Sequence, residues 1–315
     1  MCEITKIAFV GAGAMTSGHI QAFKDIENVE LSGILSRTRA KAEALSQKFG
    51  VRYVCDSIEE LYERTQADLV VISVPVLHTR KVCEEAFHYP WKLLIEKPVG
   101  HNLAEAELMR DLAVSQGREA YVALNRRHYG STANVQDALA GNDAPRLIHV
   151  FDQEDLIAAK SNGHVELVIQ NWMYANSIHL IDYFRIFGRG EIIAVDPVLS
   201  WNPATPSFVS AKILFSSGDI GLYDAVWNAP GPWSVSVTTQ SVRFEMRPVE
   251  QASIQLYPSR KLEPFPEHES DKNFKPGLRR QAEESIKAVK GEPHDLVSLA
   301  EGVETMKLVS AIYEI

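Results

Sequence analysis

The chain has 315 residues, enough for one large domain or two of ordinary size, and 45% apolar and 23% charged residues are typical of a globular protein. Its 41 acidic and 32 basic residues give a formal charge of -9, which argues against a nucleic-acid partner, because such proteins usually carry a basic face. No apolar run approaches the ~20 residues of a membrane-spanning helix, so we expect no membrane partner.

Residues 1–125 alternate between short apolar runs and amphipathic stretches. The apolar runs are rich in Val, Ile and Leu, as buried parallel strands are: KIAFVG, VELSGILS, ADLVVISV, KLLIEKP and AYVALN. The segments between them have a helical period, and several end at glycine: TRAKAEALSQKFG, SIEELYERT, TRKVCEEAF and LAEAELMRDLAVSQG. This alternation predicts an amino-terminal Rossmann domain, a doubly wound parallel sheet that binds a dinucleotide.

The segment IAFVGAGAM places Gly11 and Gly13 where the first strand ends and a helix begins. Glycine at the first position permits a tight turn, and glycine at the second lets backbone N–H groups approach a pyrophosphate. Ala14 and Met15 open the helix and are expected to contact the cofactor as well. Thr16 occupies the third glycine position of the usual fingerprint, so the strand–turn–helix context favours a dinucleotide site over a structural turn.

The second strand ends in LSRTRAK, where a domain that binds NAD commonly has an acid for the ribose 2'-hydroxyl. Ser36, Arg37 and Thr38 occupy that place here. A hydroxyl and a guanidinium suit the 2'-phosphate of NADP better than a bare hydroxyl. We therefore expect NADP in preference to NAD, the alternative being that Arg37 and Arg39 only begin a solvated helix.

After residue 125 the pattern changes, and residues 126–315 are expected to form an α+β domain for substrate binding and oligomerisation. Segments with period-two alternation, joined by turn signals, predict a large, open and mainly antiparallel sheet: EIIAVDPVLS, FVSAKILF, DIGLYDAVW, WSVSVTTQ, VRFEMRP and ASIQLY. One face of such a sheet is solvated or covered by a partner. Residues 258–276 are polar and contain proline, which predicts a surface loop, and two helices, GLRRQAEESIKAVKG and LVSLAEGVETMKLVSAIYEI, close the chain.

The segment NWMYANSIHLIDYFRIFG, residues 171–188, predicts a helix whose apolar stripe faces a core. Asn176 or Ser177 could cap its first turn. His179 and Asp182 lie three residues apart, close enough on a helix to be in contact. His179 is therefore either a structural histidine or a proton-transfer group that Asp182 orients.

The segment LLIEKPVG, in which an apolar strand delivers Glu96, Lys97 and Pro98, resembles the signature of the glucose–fructose oxidoreductase / inositol dehydrogenase (Gfo/Idh/MocA) family. The similarity extends through the glycine turn, VPVLH, ALNRRH, the His179 helix, the long sheet and the closing helices. It implies dehydrogenases, reductases and oxidoreductases acting on sugars, inositols and sugar nucleotides. It also implies that Lys97 lies between nicotinamide and substrate and that Pro98 follows a cis bond.

The resemblance assigns roles to further residues, with the cofactor-binding ones being Pro75, His78, Glu96, Lys97, Pro98 and Asn125. The substrate-binding ones are Lys97, Arg127, Tyr129 and His179, and we add Tyr174 and Asn176 because they flank Ala175 and can hydrogen-bond a substrate. A lysine at the carboxyl end of a buried strand stands where ligands bind in such sheets, and desolvation lets a lysine exchange a proton near neutral pH. The spacing from Pro75 to His78 is one residue shorter than the family's usual spacing.

One departure from the family pattern concerns the helix of His179. The family has an aspartate four residues before the histidine, and this chain has Ala175 there. Tyr174 and Asn176 flank the gap and can hydrogen-bond a substrate, but neither replaces a carboxylate as a base. We therefore expect Lys97, His179 and Asp182 to be the catalytic residues of an atypical site.

These features predict an NAD(P)-dependent oxidoreductase that moves hydride between nicotinamide and a secondary alcohol or ketone of a sugar-like molecule. The alternatives are a cofactor-binding regulator or sensor of the same fold and a redox-assisted glycosidase or lyase. Cys2, Cys55 and Cys83 show no metal or redox spacing, which is typical of a cytoplasmic protein without a metal site. A homo-oligomer, dimer or tetramer, is expected through the antiparallel sheet.

Overall fold

The computed structural model describes residues 4–315, so Cys2 lies outside the described residues. The strands are β1 (Thr5–Val10), β2 (Val29–Leu35), β3 (Tyr53–Cys55), β4 (Leu69–Ile72), β5 (Lys92–Glu96), β6 (Ala120–Ala123), β7 (Leu147–Glu154), β8 (Ile192–Leu199), β9 (Phe208–Phe215), β10 (Ile220–Trp227), β11 (Ser234–Thr238), β12 (Val242–Met246), β13 (Ala252–Leu256), β14 (Glu263–Pro264) and β15 (Val297–Ser298). The α-helices are α1 (Ala14–Lys24), α2 (Arg39–Phe49), α3 (Ile58–Thr65), α4 (Val76–Ala86), α5 (Leu103–Ser115), α6 (Gly130–Leu139), α7 (Leu156–Ser161), α8 (Glu166–Gln170), α9 (Ile178–Ile181), α10 (Tyr183–Phe187), α11 (Leu278–Val289) and α12 (Leu299–Tyr313). A π-helical turn covers Met173–Ser177, and 3₁₀ turns cover Asn125–His128 and Glu269–Asp271.

The described chain folds as two compact units. Unit 1 contains residues 4–128 and Ser270–Val303, and unit 2 contains Tyr129–Glu269 and Glu304–Ile315. The segment Ser270–Val303 was expected from its position in the sequence to belong to the second domain. It belongs to unit 1 because α11 buries Leu278, Ala282 and Ile286 in the same apolar core as Ile20 and Phe23 of α1.

The sheet of unit 1 has the order β15-β6-β5-β4-β1-β2-β3. The pairs from β6 to β3 are parallel, and β15 adds to β6 in the antiparallel direction. All four residues of β4 are buried, as expected for a strand covered on both faces. The chain runs outward from β1 to one side and then from β4 to the other, so the crevice between β1 and β4 is the switch point where such sheets bind ligands.

The sheet of unit 2 has the order β14-β13-β12-β11-β7-β10-β9-β8, and its pairs are antiparallel except for β7 with β10. Burial alternates along its central strands: in β7, β9 and β10 every second residue is buried and its neighbours are not. This alternation is the period-two pattern seen in the sequence. The expected fold class, a Rossmann domain followed by a mainly antiparallel α+β domain, is confirmed.

Three local expectations were wrong. The helix over residues 171–188 is broken into the π-helical turn and the short helices α9 and α10, and Asn176 and Ser177 lie inside that turn instead of capping it. Residues 258–276 include β14 and a 3₁₀ turn instead of forming only a loop. The last segment begins with the short strand β15 before α12, because Val297 and Ser298 pair with Val122 and Tyr121.

The two described cysteines are unbridged and buried. Burial raises the pKa of the Cys55 thiol to about 11 and that of the Cys83 thiol further. Neither side chain is therefore a reactive thiolate at neutral pH. Across residues 4–315, no helix combines the length and the apolar character that a membrane crossing needs.

Candidate cofactor and active site

The first strand of unit 1 ends in a tight turn at Gly11. The residue has a φ of +117°, and its N–H donates to the carbonyl oxygen of Leu35 at 2.8 Å. A Cβ atom on Gly11 would lie 1.9 Å from the carbonyl oxygen of Ser73, so a side chain is excluded here. Because Ser73 follows β4, this turn lies at the switch point of the sheet.

The N-terminus of α1 begins at the next glycine. Gly13 and Ala14 are exposed, no side chain caps the helix, and a Cβ atom on Gly13 would meet nothing within 4 Å. The first turn carries no acid, so its N–H groups and positive dipole end are open to an anion. Met15 packs against the core, and Lys275 places its Nζ 2.8 Å from the Met15 Sδ. The residues present therefore fit the pyrophosphate of a dinucleotide, with Lys275 as a neighbouring cation that the sequence pattern did not reveal.

The two arginines that follow β2, Arg37 and Arg39, have different partners. Ser36 Oγ accepts from the N–H of Thr38 at 3.3 Å, which shapes the entry to α2. Arg39 donates to Glu43 at 3.0 Å and to Asp56, and these carboxylates raise the pKa of its guanidinium. The positive charge of Arg39 is thus balanced by two carboxylates, whereas the exposed Arg37 has no carboxylate partner among residues 4–315.

Arg37 lies instead against the predicted cofactor residue His78. The guanidinium Nη1 is 3.2 Å from the ring Nε2, and both side chains are exposed. Pro75 precedes α4, and its carbonyl oxygen accepts from the N–H of His78 at 2.8 Å, so the ring stands in the first turn of that helix. The following residue, Thr79, is buried. The ends of β2 and β4 therefore bring two nitrogen-bearing side chains together at the surface of unit 1.

The end of β5 delivers the signature residues of the sequence. Glu96 Oε1 lies 2.8 Å from the Nε2 of His19, a buried residue of α1 that the sequence pattern did not single out. The Lys97–Pro98 peptide bond is cis, as the family resemblance implies. Lys97 is half-buried and Pro98 is buried. One hydrogen bond thus joins the helix of the glycine turn to the strand that carries Lys97.

The last predicted residues of unit 1 follow β6 in a 3₁₀ turn. Asn125 is buried, and its Nδ2 donates to the carbonyl oxygen of Pro276 at 3.1 Å. Arg127 is half-buried. All of the predicted cofactor-binding residues, from Gly11 to Asn125, therefore belong to unit 1, together with Lys97 and Arg127.

The other predicted catalytic and substrate-binding residues belong to unit 2. His179 is 8% exposed, and Asp182 is 2% exposed and accepts from Thr305 Oγ1 at 2.9 Å. Tyr129 is buried. Tyr174 is buried as well and hydrogen-bonds with Ser310, and burial raises the pKa of its hydroxyl. Among residues 4–315, no group of three or more His, Cys, Asp or Glu side chains is arranged to hold a metal ion.

A buried carboxyl group lies beneath the π-helical turn. Glu154, 1% exposed, accepts from Trp172 Nε1 at 2.7 Å, from Ser177 Oγ at 3.1 Å, and from Asn176 Nδ2 at 3.1 and 2.9 Å. Burial raises the pKa of Glu154 well above its ordinary range, the neighbouring Asp152 adds to the rise, and the three donors oppose it. Asn176 was expected from the sequence to bind the substrate. In the structure its amide nitrogen donates hydrogen bonds to Glu154.

The hydrogen-bonded network continues from Glu154 across unit 2. Ser177 Oγ lies 3.4 Å from the hydroxyl of Tyr313, which lies 2.9 Å from that of Tyr223. The Tyr223 hydroxyl donates to Asp152 at 2.8 Å. Two carboxyl groups on one strand are therefore joined through three hydroxyl groups. Asp152 and Glu154 lie two residues apart on β7 and therefore share one face of the sheet.

The chain is similar to known proteins in part of its sequence and in its fold. Residues 5–124 match the family described as "Oxidoreductase family, NAD-binding Rossmann fold". The chain is 22% identical over 239 residues to 4-carboxy-2-hydroxymuconate-6-semialdehyde dehydrogenase of Sphingobium sp., covering 72% of this chain and 73% of that one. It is 25% identical over 145 residues to glucose-6-phosphate 3-dehydrogenase of Bacillus subtilis, covering 46% and 41%. The crystal structure of a dehydrogenase from Chromobacterium violaceum superposes with a TM-score of 0.82 at 15% identity, covering 100% of this chain and 95% of that one, and so shares the fold.

Proposed function

We propose that this chain, whose residues 5–124 match the NAD-binding Rossmann model of the glucose–fructose oxidoreductase / inositol dehydrogenase (Gfo/Idh/MocA) family, is an NADP-preferring dehydrogenase or reductase of a sugar-like secondary alcohol or ketone. The observation that carries this proposal is the edge of the sheet in unit 1. The glycine turn at Gly11, the open N-terminus of α1 and the Lys97–Pro98 segment all lie where parallel strands end. Phosphate binding and a proton-transfer group are thus provided by one rigid scaffold.

The proposed roles divide hydride and proton between cofactor and protein. When bound, the nicotinamide supplies the acceptor or donor of the hydride. Oxidation of a CH–OH group also releases the hydroxyl proton, and reduction of a ketone requires one. Lys97 and His179 share this proton transfer, with Asp182 orienting the imidazole ring. Tyr129, Tyr174, Asn176 and Arg127 contribute to binding the substrate.

The preference for NADP is supported by the unequal surroundings of the arginines after β2. Arg39 is occupied by Glu43 and Asp56, whereas Arg37 offers a guanidinium to an anion. Ser36 adds a hydroxyl group on the same turn. A guanidinium and a hydroxyl can hold the 2'-phosphate through charge-assisted hydrogen bonds.

The sugar-like substrate class is supported by the relative from Bacillus subtilis, which is named for glucose 6-phosphate. The relative from Sphingobium sp. is named for a carboxylated semialdehyde, so the family fold accommodates more than one class of substrate. We propose a sugar, an inositol or a sugar nucleotide, with the reacting carbon carrying a secondary hydroxyl or keto group. The same sheet that supports the π-helical turn is proposed to pair with a second copy of the chain through its outward face.

The test is a hydride-transfer assay on the full chain. Purified protein is incubated with NADP+ or NAD+ and a panel of sugars, sugar phosphates and inositols, and the absorbance of the reduced nicotinamide is followed. We expect net reduction with at least one substrate, and faster with NADP+. Lys97→Ala should lower turnover by about 100-fold, the range for losing a general acid–base group, while cofactor binding should fall less. Lys92→Ala, which changes a lysine at the start of the same strand, is the matched control.

Two other outcomes would contradict the proposal. Product formation without a net change in absorbance would indicate a redox-assisted glycosidase or lyase, in which the cofactor is recycled. Cofactor binding without turnover of any panel member would indicate a sensor. Near-normal turnover of Lys97→Ala would remove Lys97 from the chemistry whichever activity is found.

A further inference from the structure

The contact between Arg37 and His78 shows which nitrogen of the imidazole ring accepts the hydrogen bond. A guanidinium group can only donate hydrogen bonds. In this contact the Nε2 of His78, 3.2 Å from Arg37 Nη1, is therefore the acceptor, and the ring proton lies on Nδ1. A doubly protonated ring in this position would place two cations in contact.

The charges around this pair leave it open to an anion. From the β2–α2 turn only Arg37 reaches the ring, and the next arginine, Arg39, is held by Glu43 and Asp56. On its own helix His78 is followed by Arg80, which is paired with Glu84, and by the exposed Lys81. No carboxylate within residues 4–315 is hydrogen-bonded or ion-paired with either Arg37 or His78. The local charge is positive, and it becomes more so if His78 gains a proton.

The position of the ring follows from the short spacing after Pro75. One residue along an α-helix is a rotation of about 100°. With the family's usual spacing the histidine would stand at residue 79, and that position is buried here and occupied by threonine. The shorter spacing places His78 on the exposed side of the first turn of α4, where it meets Arg37.

We propose that His78 and Arg37 together clamp the 2'-phosphate of NADP(H), and that the imidazole takes up a proton as the phosphate binds. The inference rests on the proposed function, because it concerns the same cofactor site. A phosphate dianion between the two side chains replaces their mutual hydrogen bond by two charge-assisted ones, and it favours the imidazolium over the neutral ring. Binding of the 2'-phosphate is therefore linked to protons, whereas binding of a cofactor without this group is not.

The linkage gives a pH dependence of known sign. An ordinary histidine is mostly neutral above pH ~7, and the second ionisation of a phosphate ester lies near pH ~6. Between about pH 6.5 and pH 8.5 the phosphate stays largely dianionic while the free energy of protonating the ring rises. The affinity for the 2'-phosphate should therefore fall by about tenfold over this range, and the preference for NADP over NAD should fall with it.

The experiment uses two probes and needs no turnover. Adenosine 2',5'-bisphosphate carries the 2'-phosphate, and adenosine 5'-monophosphate lacks it. Isothermal titration calorimetry in buffers of different ionisation enthalpy gives the Kd and the number of protons taken up. The wild type should take up a measurable fraction of a proton with the bisphosphate near pH 7.5 and close to none with the monophosphate.

Three variants make the result specific. His78→Gln should bind the bisphosphate about tenfold more weakly than the wild type at pH 6.5 and almost equally at pH 8.5, without proton uptake. Arg37→Ala should weaken bisphosphate binding at every pH. His88→Gln, which changes an exposed histidine just beyond the other end of α4, should behave as the wild type.

The outcomes separate this inference from the proposed cofactor preference. If the bisphosphate is preferred and Arg37→Ala abolishes the preference while His78→Gln binds like the wild type at pH 6.5, the clamp is overturned and the NADP preference stands. Unchanged proton uptake in His78→Gln would overturn the clamp in the same way. If both probes bind equally, or if neither binds, the inference fails together with the cofactor preference on which it rests.

Discussion

His179 and Lys97 are held in different ways, and this difference bears on their roles. The lysine follows a buried strand and is half-buried, next to a cis proline. The histidine is 8% exposed and lies on the four-residue helix α9. Its ring is therefore shielded from bulk water, which strengthens any electrostatic interaction with a bound substrate. Proton transfer through such a group leaves a signature in the pH dependence of the rate.

We predict that His179→Asn lowers kcat and removes an ionisation between about pH 6 and pH 8 from the rate profile. Asparagine keeps the approximate size and one donor, so the packing of α9 should survive. The measurement is kcat and kcat/KM against pH, with His88→Asn as the control for losing an exposed histidine. A variant that stays active and keeps the same limb of the profile would make His179 structural.

Ala175 stands where the family pattern has an aspartate. The two residues that follow Ala175 contact a different carboxyl group, that of Glu154. Asn176 and Ser177 both donate to Glu154, which lies on β7. This carboxyl group is buried at 1% exposure, and its raised pKa favours the protonated form. Glu154 therefore supports the turn from below, while Lys97 and His179 remain the proposed groups for proton transfer.

The π-helical turn at Met173–Ser177 depends on that support. Such turns widen a helix by one residue and are frequent at functional sites. Trp172, which precedes the turn, and Asn176 and Ser177 within it all donate to the same carboxyl group. The turn carries Tyr174 and leads directly into α9, so the geometry of Tyr174 and His179 rests on Glu154.

We predict that Glu154→Gln becomes more stable relative to the wild type as the pH rises. The folded pKa of Glu154 lies above its unfolded value, so its stabilising contribution is present at low pH and is lost as the pH rises through the folded pKa. Glutamine cannot ionise and avoids this loss. The measurement is the Tm of both proteins from about pH 5 to pH 8, and parallel curves would contradict the prediction.

Two further variants complete this test. Glu154→Ala leaves three donors without their acceptor, which should destabilise the fold by about 3 kcal/mol or more and disturb the turn. Glu166→Gln, on the exposed start of α8, is the control for removing a carboxylate from the same region. It should leave the pH dependence of Tm as in the wild type.

Local signals in the sequence predicted most elements and the cofactor turn. Gly11 is recognisable because the turn excludes a side chain there, and Gly13 because the dinucleotide fingerprint has a glycine where the backbone approaches a pyrophosphate. The strand and helix around them follow short-range periodicity. Lys97 and Pro98 are recognisable because the family signature is contiguous. The cis bond between them confirms what the resemblance implies.

The features that were missed depend on contacts between distant residues. His19 meets Glu96 across 77 positions, and Glu154 meets its three donors across 18 to 23 positions. Periodicity in the sequence shows which face of an element is buried, but it does not show which polar side chain forms a hydrogen bond with that face. The break of residues 171–188 into a π-helical turn has the same origin, because those donors satisfy a buried carboxyl group instead of capping a helix.

The outward face of the sheet in unit 2 is only partly covered in the described chain, because Gly231 lies against Phe151 and Val226 and leaves other positions open. Its apolar side chains on β7, β9 and β10 are Leu147, Phe151, Phe208, Leu214, Ile220, Leu222 and Val226. Leu147, Phe208 and Ile220 are 42%, 57% and 39% exposed. Exposed apolar side chains are frequent at interfaces, and a sheet face suits the self-complementary contact of a symmetric dimer.

We predict that the double variant Phe208→Glu, Ile220→Glu shifts the protein from an oligomer to a monomer. The new charges on one copy would face those on the other, and burying them unpaired costs several kcal/mol. The measurement is the molar mass in solution by light scattering on a size-exclusion column. Ile157→Glu, at a 72% exposed position on α7, is the control. A wild type that is already monomeric at micromolar concentration would contradict the proposed interface.

The pairing of β15 with β6 also determines when the sheet of unit 1 can be completed during synthesis of the chain. Val297 lies opposite Val122, so the strand that completes the sheet of unit 1 is made about 175 residues after its partner. Because translation proceeds at roughly 5–20 residues per second, β6 stays unpaired at this edge for about 9–35 s after it is made. For most of that time α11 has not been synthesised either and is missing from the core. An open strand edge is a template for wrong pairing, so the nascent chain passes through a period of exposure that the finished protein never shows.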